Sequence, residues 1–330
     1  MRLISVVAIL VAWPVALLTS TASFDSPTES SGFTRLAQDR PAQDRPTFRS
    51  SSELVVLHVS VRDRGGRYLT GLAKDAFTVI DDGKPQTLEM FSAEEVPATV
   101  GFLIDNSNSM RPNRERVIAS SVSFAKNSHP KDEIFVLTFN ETVRRAWGPS
   151  IVEEMNADAF ARTMDEQIVA RGMTAIYDGI LTGLDWLTRA NHTRQVLIVV
   201  SDGGDNASKG KVDDVLTRVH DSDATVYTVT LVDRLLRGEG NPRLMKRLAR
   251  ATGGESYSPR DVDDVPGAFE KIARDIRSAY TLAYIPTASG TAAAERRRHT
   301  VRVYVRGADG KALDVRTRDG YFEKTHESPQ

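Results

Sequence analysis

Phe102-Leu103-Ile104-Asp105-Asn106-Ser107-Asn108-Ser109 is an apolar run that ends in one acid followed by two hydroxyls at alternate positions. Its apolar half, Val100 to Ile104, has the unbroken and partly β-branched character of a strand covered on both faces, as strands of parallel sheets are. Its polar half offers a carboxylate and two alcohols at a spacing that lets them converge on one hard cation through oxygen ligands alone. Two later fragments extend the pattern. Gly172-Met173-Thr174-Ala175-Ile176-Tyr177-Asp178 places a hydroxyl just before a helical pattern, and Val199-Val200-Ser201-Asp202-Gly203 places an acid after another apolar run.

Outward from that stretch, strands and helices alternate between Thr99 and about Arg277. Ile134 to Phe139, Val196 to Val200 and Thr225 to Val232 read as further buried strands. Between them apolar residues recur at helical spacing: Val117, Ser121 and Phe124; Phe160, Met164 and Ile168; Ile176, Ile180, Leu184 and Leu187; Val212, Val215, Leu216 and Val219; Leu244, Leu248 and Ala251. Phe269, Ile272 and Ile276 mark a last helix. Pro130 and Gly253-Gly254 stand where helix terminators belong. Val143 to Trp147 follows its neighbour after a connection too short for a parallel crossover, which predicts an antiparallel edge strand. The fold class expected is α/β, a doubly wound and mostly parallel sheet with helices on both faces. In such a sheet ligands gather beyond the carboxyl ends of the strands, where the winding reverses. Asp105 and Asp202 can both reach that end.

The flanks are of another kind. Val55, Leu57, Val59 and Val61 alternate as a half-buried strand does, and Phe77 to Ile80 and Gln86 to Phe91 read as a strand pair about the turn Asp81-Asp82-Gly83-Lys84. Alternation returns at Tyr280, Leu282 and Tyr284 and at Val301, Val303 and Val305, a second β segment that is a candidate partner for the first. At the N-terminus, Arg2, the apolar run Leu3 to Leu18 and the small residues before Ser23 have the order of a secretory signal peptide. That run contains Pro14 and is short for a membrane span, so an association with a membrane is expected only if the segment stays uncleaved. The stretch after it repeats Ala37-Gln-Asp-Arg-Pro41 as Ala42-Gln-Asp-Arg-Pro46 and holds too few large apolar groups to offset its ordering entropy. The expected organisation is thus a signal peptide over 1–22, a linker over 23–50, a β module over 51–97, the α/β domain over 98–277, a second β module over 278–325 and a tail over 326–330.

Composition removes several function classes. With 43 basic and 44 acidic residues in 330 and a formal net charge of −1, general attraction to nucleic acid or to an anionic surface is not favoured. There is no cysteine, so disulfides and thiolate zinc sites are excluded, and an exported chain of this kind must rely on its core, helped where one is bound by a metal. None of the six histidines lies at the i, i+4 spacing of a helix-borne zinc site, and they read as surface or partly buried side chains.

Taken together, the three fragments resemble the metal-ion-dependent adhesion site of von Willebrand factor type A domains, a Rossmann-like fold, with the resemblance covering about residues 98 to 277. The outer pieces, Leu72-x-x-Asp75-x-Phe77 with Asp82-Gly83, then Tyr280-x-Leu282-x-Tyr284-x-Pro286 and Val301-x-Val303 before Gly320-Tyr321, resemble the exported bacterial proteins of this type that are common in Acidobacteria. Carried over residue by residue, the resemblance implies that Asp105, Ser107, Ser109, Thr174 and Asp202 bind metal, with Asp178 and Asp205 nearby as supporting or weaker candidates. Three hydroxyls and two acids suit Mg2+, with Mn2+ or Ca2+ as alternatives. The expected function is a non-enzymatic, exported binding module that captures a protein partner presenting an Asp or Glu. The competing expectations are a Mg2+-dependent phosphotransferase with Asp105 as nucleophile and a purely structural scaffold. The phosphotransferase lacks its usual second acid, because that position is Ser107.

Overall fold

The computed structural model describes residues 54–231, 240–287 and 297–323. The signal peptide, linker and tail read from the sequence lie outside the described residues. In chain order, four strands come first: β1 (Val55–Arg62), β2 (Phe77–Asp81), β3 (Lys84–Gln86) and β4 (Leu88–Ser92). Then follow β5 (Ala98–Asp105), α1 (Arg114–Lys126), β6 (Glu133–Phe139), β7 (Val143–Ile151), α2 (Ala157–Gln167), α3 (Ile176–Leu187) and β8 (Arg194–Ser201). The alternation continues through α4 (Val212–Asp221), β9 (Thr225–Thr230), α5 (Pro242–Ala251), β10 (Ser256–Tyr257) and α6 (Val265–Ser278). The chain closes with β11 (Tyr280–Tyr284), β12 (Arg298–Val305), β13 (Asp314–Arg316) and β14 (Gly320–Phe322).

The middle of the chain forms a sheet of order β10-β9-β8-β5-β6-β7, parallel except for β7, which is the antiparallel edge strand the short connection requires. Alternate residues of β5 feed two cores. Val100, Phe102 and Ile104 pack with Val117 and Phe124 of α1 and Phe269 and Ile272 of α6, while Leu103 packs with Ile180 and Leu184 of α3. Helices therefore cover both faces, and the architecture is the doubly wound, Rossmann-like one. The chain leaves β5 for β6 on one side and returns to β8 on the other, so the winding reverses between β5 and β8. Asp105 is the last residue of β5 and Asp202 follows the last residue of β8, which puts both at this switch point.

The flanking strands form two further sheets, β13-β1-β11-β4 and β14-β12-β2-β3, that share one apolar core. Segments from both ends of the chain make each sheet. Leu57 faces Leu282 across β1 and β11, and Val79 faces Val303 across β2 and β12. One expectation needs correction, because the single strand read over Gln86 to Phe91 is two. Lys84–Gln86 pairs back on β2 through a two-residue turn at Asp82 and Gly83, whose φ values of 47° and 80° match a tight hairpin turn, and Leu88–Ser92 then crosses to pair with β11 in the other sheet. The apolar pattern runs on through the crossing because both sheets face the same core.

Ionic contacts join this sandwich to the α/β layer. Arg62 of β1 and Arg316 of β13 meet Glu255, at 2.6 and 2.8 Å, and Arg316 also pairs with Asp275 of α6, which is fully buried. Arg194, at the start of β8, is buried and donates to the carbonyls of Ile276 and Ala279 at 2.7 and 2.8 Å. It thereby satisfies acceptors at the C-terminal end of α6 and complements the negative end of its dipole.

Candidate functional site

At the switch point Asp105 is 1% exposed. Its Oδ1 accepts the amide of Ser107 at 2.9 Å, and its Oδ2 accepts the hydroxyl of Ser201 at 2.6 Å. Ser201 in turn accepts the amide of Gly203 at 3.0 Å, so the end of β8 both orients the Asp105 carboxylate and starts the turn that carries Asp202. Ser107 and Ser109 lie on the loop that opens the 3-10 turn before α1, with their hydroxyl oxygens 3.0 Å apart. Ser107 is buried, Ser109 half-buried and the intervening Asn108 exposed, so this loop runs from the interior to the surface.

Burial pushes the Asp105 carboxyl up to about 6, and the charge of Asp202 adds to the rise, while the hydrogen bonds from Ser107 and Ser201 oppose it. Two acids are thus close enough to act on each other. Asp202 is 8% exposed and its Oδ1 accepts the amide of Gly204 at 2.9 Å.

Thr174 lies on a loop stitched both to the serine loop and to the segment that follows Asp202. The amide of Asn108 donates to Gly172 at 3.1 Å, and those of Arg171 and Ala170 donate to the backbone carbonyl and side-chain oxygen of Asn106 at 2.7 and 2.6 Å. On the other side Thr174 donates its amide to the side chain of Asn206 at 2.8 Å and accepts the Asn206 amide at 2.9 Å. Thr174 itself is buried. Gly172 holds φ at +90°, a left-handed conformation that other residues adopt at a cost, and a Cβ there would meet the Glu141 carboxylate that accepts the Met173 amide. Gly172→Ala is expected to lower stability by about 1–2 kcal/mol and to weaken divalent-cation binding by displacing Thr174, as denaturant titration and calorimetry can measure.

Asp178 and Asp205 stand beside this set with their carboxylates engaged in holding loops. Asp178 accepts the amides of Lys209 and Gly210 at 2.9 and 2.8 Å. Asp205 accepts the amide of Ile176 at 3.0 Å and the hydroxyl of Ser208 at 2.5 Å, which caps α3 from a distant loop. Sequence reasoning passed over Ser201 and Asn106 as functional residues and set Asn206 beside Asp178 and Asp205 as a neighbour of the proposed ligands. Ser201 stood inside a quoted fragment, but its register opposite Asp105 belongs to the pairing of β8 with β5. The two asparagines fasten loops through side chains that carry no spacing signal of their own.

The donor set suits a hard divalent cation on chemical grounds. It offers carboxylate and hydroxyl oxygens without nitrogen or sulfur, and includes a buried carboxylate that burial and the charge of Asp202 hold above its ordinary range.

Residues 99–271, a little over half of the chain, match the family model for the von Willebrand factor type A domain. No curated protein sequence matches the chain. Among solved structures it is similar to a von Willebrand factor type A protein from Catenulispora acidiphila, at 12% identity over 83% of this chain and 75% of that one, with a TM-score of 0.47. It is also similar to the PilB minor pilin from Streptococcus sanguinis, at 11% identity over 56% of this chain and 62% of the pilin, with a TM-score of 0.45. A third similar structure is the vWF domain of the type V pili tip protein Mfa5 from Porphyromonas gingivalis, at 12% identity over 55% of this chain and 95% of that one, with a TM-score of 0.41. The chain spans less than two thirds of the pilin's length.

Proposed function

The chain belongs to the von Willebrand factor type A domain family, and from that premise we propose that it is an exported, non-enzymatic protein-binding module whose switch-point site captures an acidic partner side chain through a divalent cation. Asp105, Ser107, Ser109, Thr174 and Asp202 would hold the ion, Mg2+ first and Mn2+ or Ca2+ as alternatives. The observation that carries the reading is the state of Asp105: buried at the end of its strand, held by the Ser107 amide and the Ser201 hydroxyl, and raised by burial and by a second acid, Asp202. Bound there, the ion would supply an electrophilic position open to a partner's carboxylate.

The chain's own residues shape what can approach. Ser201 and the Ser107 amide aim the Asp105 carboxylate, and Asn106 and Asn206 lock the loops that carry the hydroxyls. Val169 and Met173 stand 45% and 51% exposed on the Thr174 loop, with Arg171 exposed between them and Arg111 exposed on the serine loop. An apolar and cationic rim of this kind fits an acidic side chain with apolar neighbours.

The test is capture of envelope partners with and without chelator, by the parent chain and by Asp105→Ala, beside calorimetric titration of Mg2+. Capture by the parent should need the metal and vanish in the variant, and equal capture in chelator would refute the reading. Because protons compete for Asp105, metal affinity should fall below about pH 6, approaching tenfold per pH unit.

A further inference from the structure

We propose that Asp81, Asp82 and His299 form a second cation site, selective for a transition-metal dication of the zinc class, that staples the two ends of the chain together within the β sandwich. Asp81 ends β2, Asp82 opens the hairpin turn to β3, and His299 lies on the neighbouring strand β12. Sequence separation of more than two hundred residues hides the set from any spacing rule, yet it is the group of metal-ligating side chains that converges most clearly among the described residues.

One ligand atom from each of the three side chains lies within 4.8 Å of the other two, close enough to share one ion. His299 Nδ1 lies 3.2 Å from Asp81 Oδ1 and 3.3 Å from Asp82 Oδ2. A tetrahedral zinc ion with bonds of about 2.0–2.1 Å spaces its donor atoms about 3.3 Å apart. The other ring nitrogen, Nε2, is 3.0 Å from Glu323 Oε1, the carboxylate–histidine arrangement that fixes the tautomer of a metal-bound imidazole. In the tautomer that gives its N–H to Glu323, the Nδ1 lone pair would face two carboxylate oxygens. A cation among the three makes that arrangement attractive.

The surroundings orient each ligand. Asp81 Oδ2 accepts the hydroxyls of Tyr284 and Tyr321 at 2.9 and 2.8 Å, leaving Oδ1 directed at His299. Asp82 Oδ1 accepts the Thr300 amide at 2.9 Å. The His299 ring is 5% exposed and stacks on Tyr321 with centroids 4.7 Å apart. A competing charge is present, because Arg297 donates to Asp82 Oδ2 at 3.0 Å. Its side chain is 45% exposed and borders a surface pocket that includes Asp82, so it can yield to solvent and leave the ion an entry path. One nitrogen and two carboxylate oxygens favour zinc-class ions over Mg2+, which prefers oxygen alone. A chain with no cysteine gains from such a site what a disulfide would otherwise supply, a link between β2 and β12.

The experiment uses the full chain carrying Asp105→Ala, so that its outcome is separate from the fate of the switch-point site. After chelator treatment, Zn2+ titrated alone should bind at one equivalent per chain and raise the melting temperature, and Co2+ should give visible absorption bands from a nitrogen-containing site. Adding Asp82→Asn, at a partly exposed position, should weaken zinc binding by tenfold or more, and His299→Gln should abolish it. Absence of a zinc equivalent in the Asp105→Ala chain would overturn the proposal, since the three side chains would then meet through hydrogen bonds alone. Zinc binding untouched by Asp82→Asn would overturn it equally.

Discussion

Asp105→Asn is expected to unfold later than the parent chain in metal-free buffer at pH 7.5, although it removes a residue central to the proposed function. In the folded parent the carboxyl holds its proton up to about pH 6, whereas in the unfolded chain it ionises near its ordinary value of 3.8. Between those values the folded state binds a proton that the unfolded state has released, so stability falls as pH rises through that window. The penalty is fully present above about pH 6. A difference of roughly two units corresponds to about 3 kcal/mol, part of which the variant loses through altered hydrogen bonding to Ser201, leaving a gain of about 2 kcal/mol. The decline between pH 4 and 6 should flatten in the variant. Urea titrations at pH 5 and 7.5 in chelator measure both effects, and Mg2+ should then stabilise the parent alone. A variant less stable than the parent at pH 7.5 in chelator would show that the site carries no uncompensated charge.

Arg316→Ala should lower the stability of the chain by about 3–5 kcal/mol, the usual consequence of leaving one member of a buried pair without its partner. Asp275 is fully buried on α6, and Arg316 approaches it from the sandwich while also meeting Glu255 at 2.8 Å. Truncating the arginine strands the Asp275 charge at the junction of the two layers. The converse experiment separates the strength of the pair from its geometry: Arg316→Met combined with Asp275→Leu removes both charges and should recover most of the loss, because the desolvation of both ions disappears with them. Equilibrium denaturation of the single and double variants decides the matter. A loss below about 1 kcal/mol in Arg316→Ala would mean that water reaches Asp275 and that the junction is wetter than its burial indicates.

The central layer was legible because its code is local. Strands such as Val100 to Ile104 and Val196 to Val200 are apolar throughout, since both faces are covered, and the helices repeat apolar residues at their own period. The edge position of β7 followed from the length of one connection. The break between β3 and β4 was not legible, because residues on either side of the crossing face one core and preserve a single alternation. Asp178 and Asp205 stand near the proposed ligands in sequence, yet their carboxylates accept amides from 176 and 209–210, a placement set by how two loops meet.

By itself the sequence determined the doubly wound class, the order of strands and helices in the middle of the chain, and which acids and hydroxyls fall at strand ends. These depend on periodicity and on chain length between elements, which are one-dimensional quantities. The tertiary structure decided the pairing of the chain's two ends into one sandwich, the clasp of Ser201 on Asp105, and the meeting of Asp81 and Asp82 with His299. Each of these is a contact between residues far apart along the chain, and strand register, which sets such contacts, leaves no mark on either strand read alone.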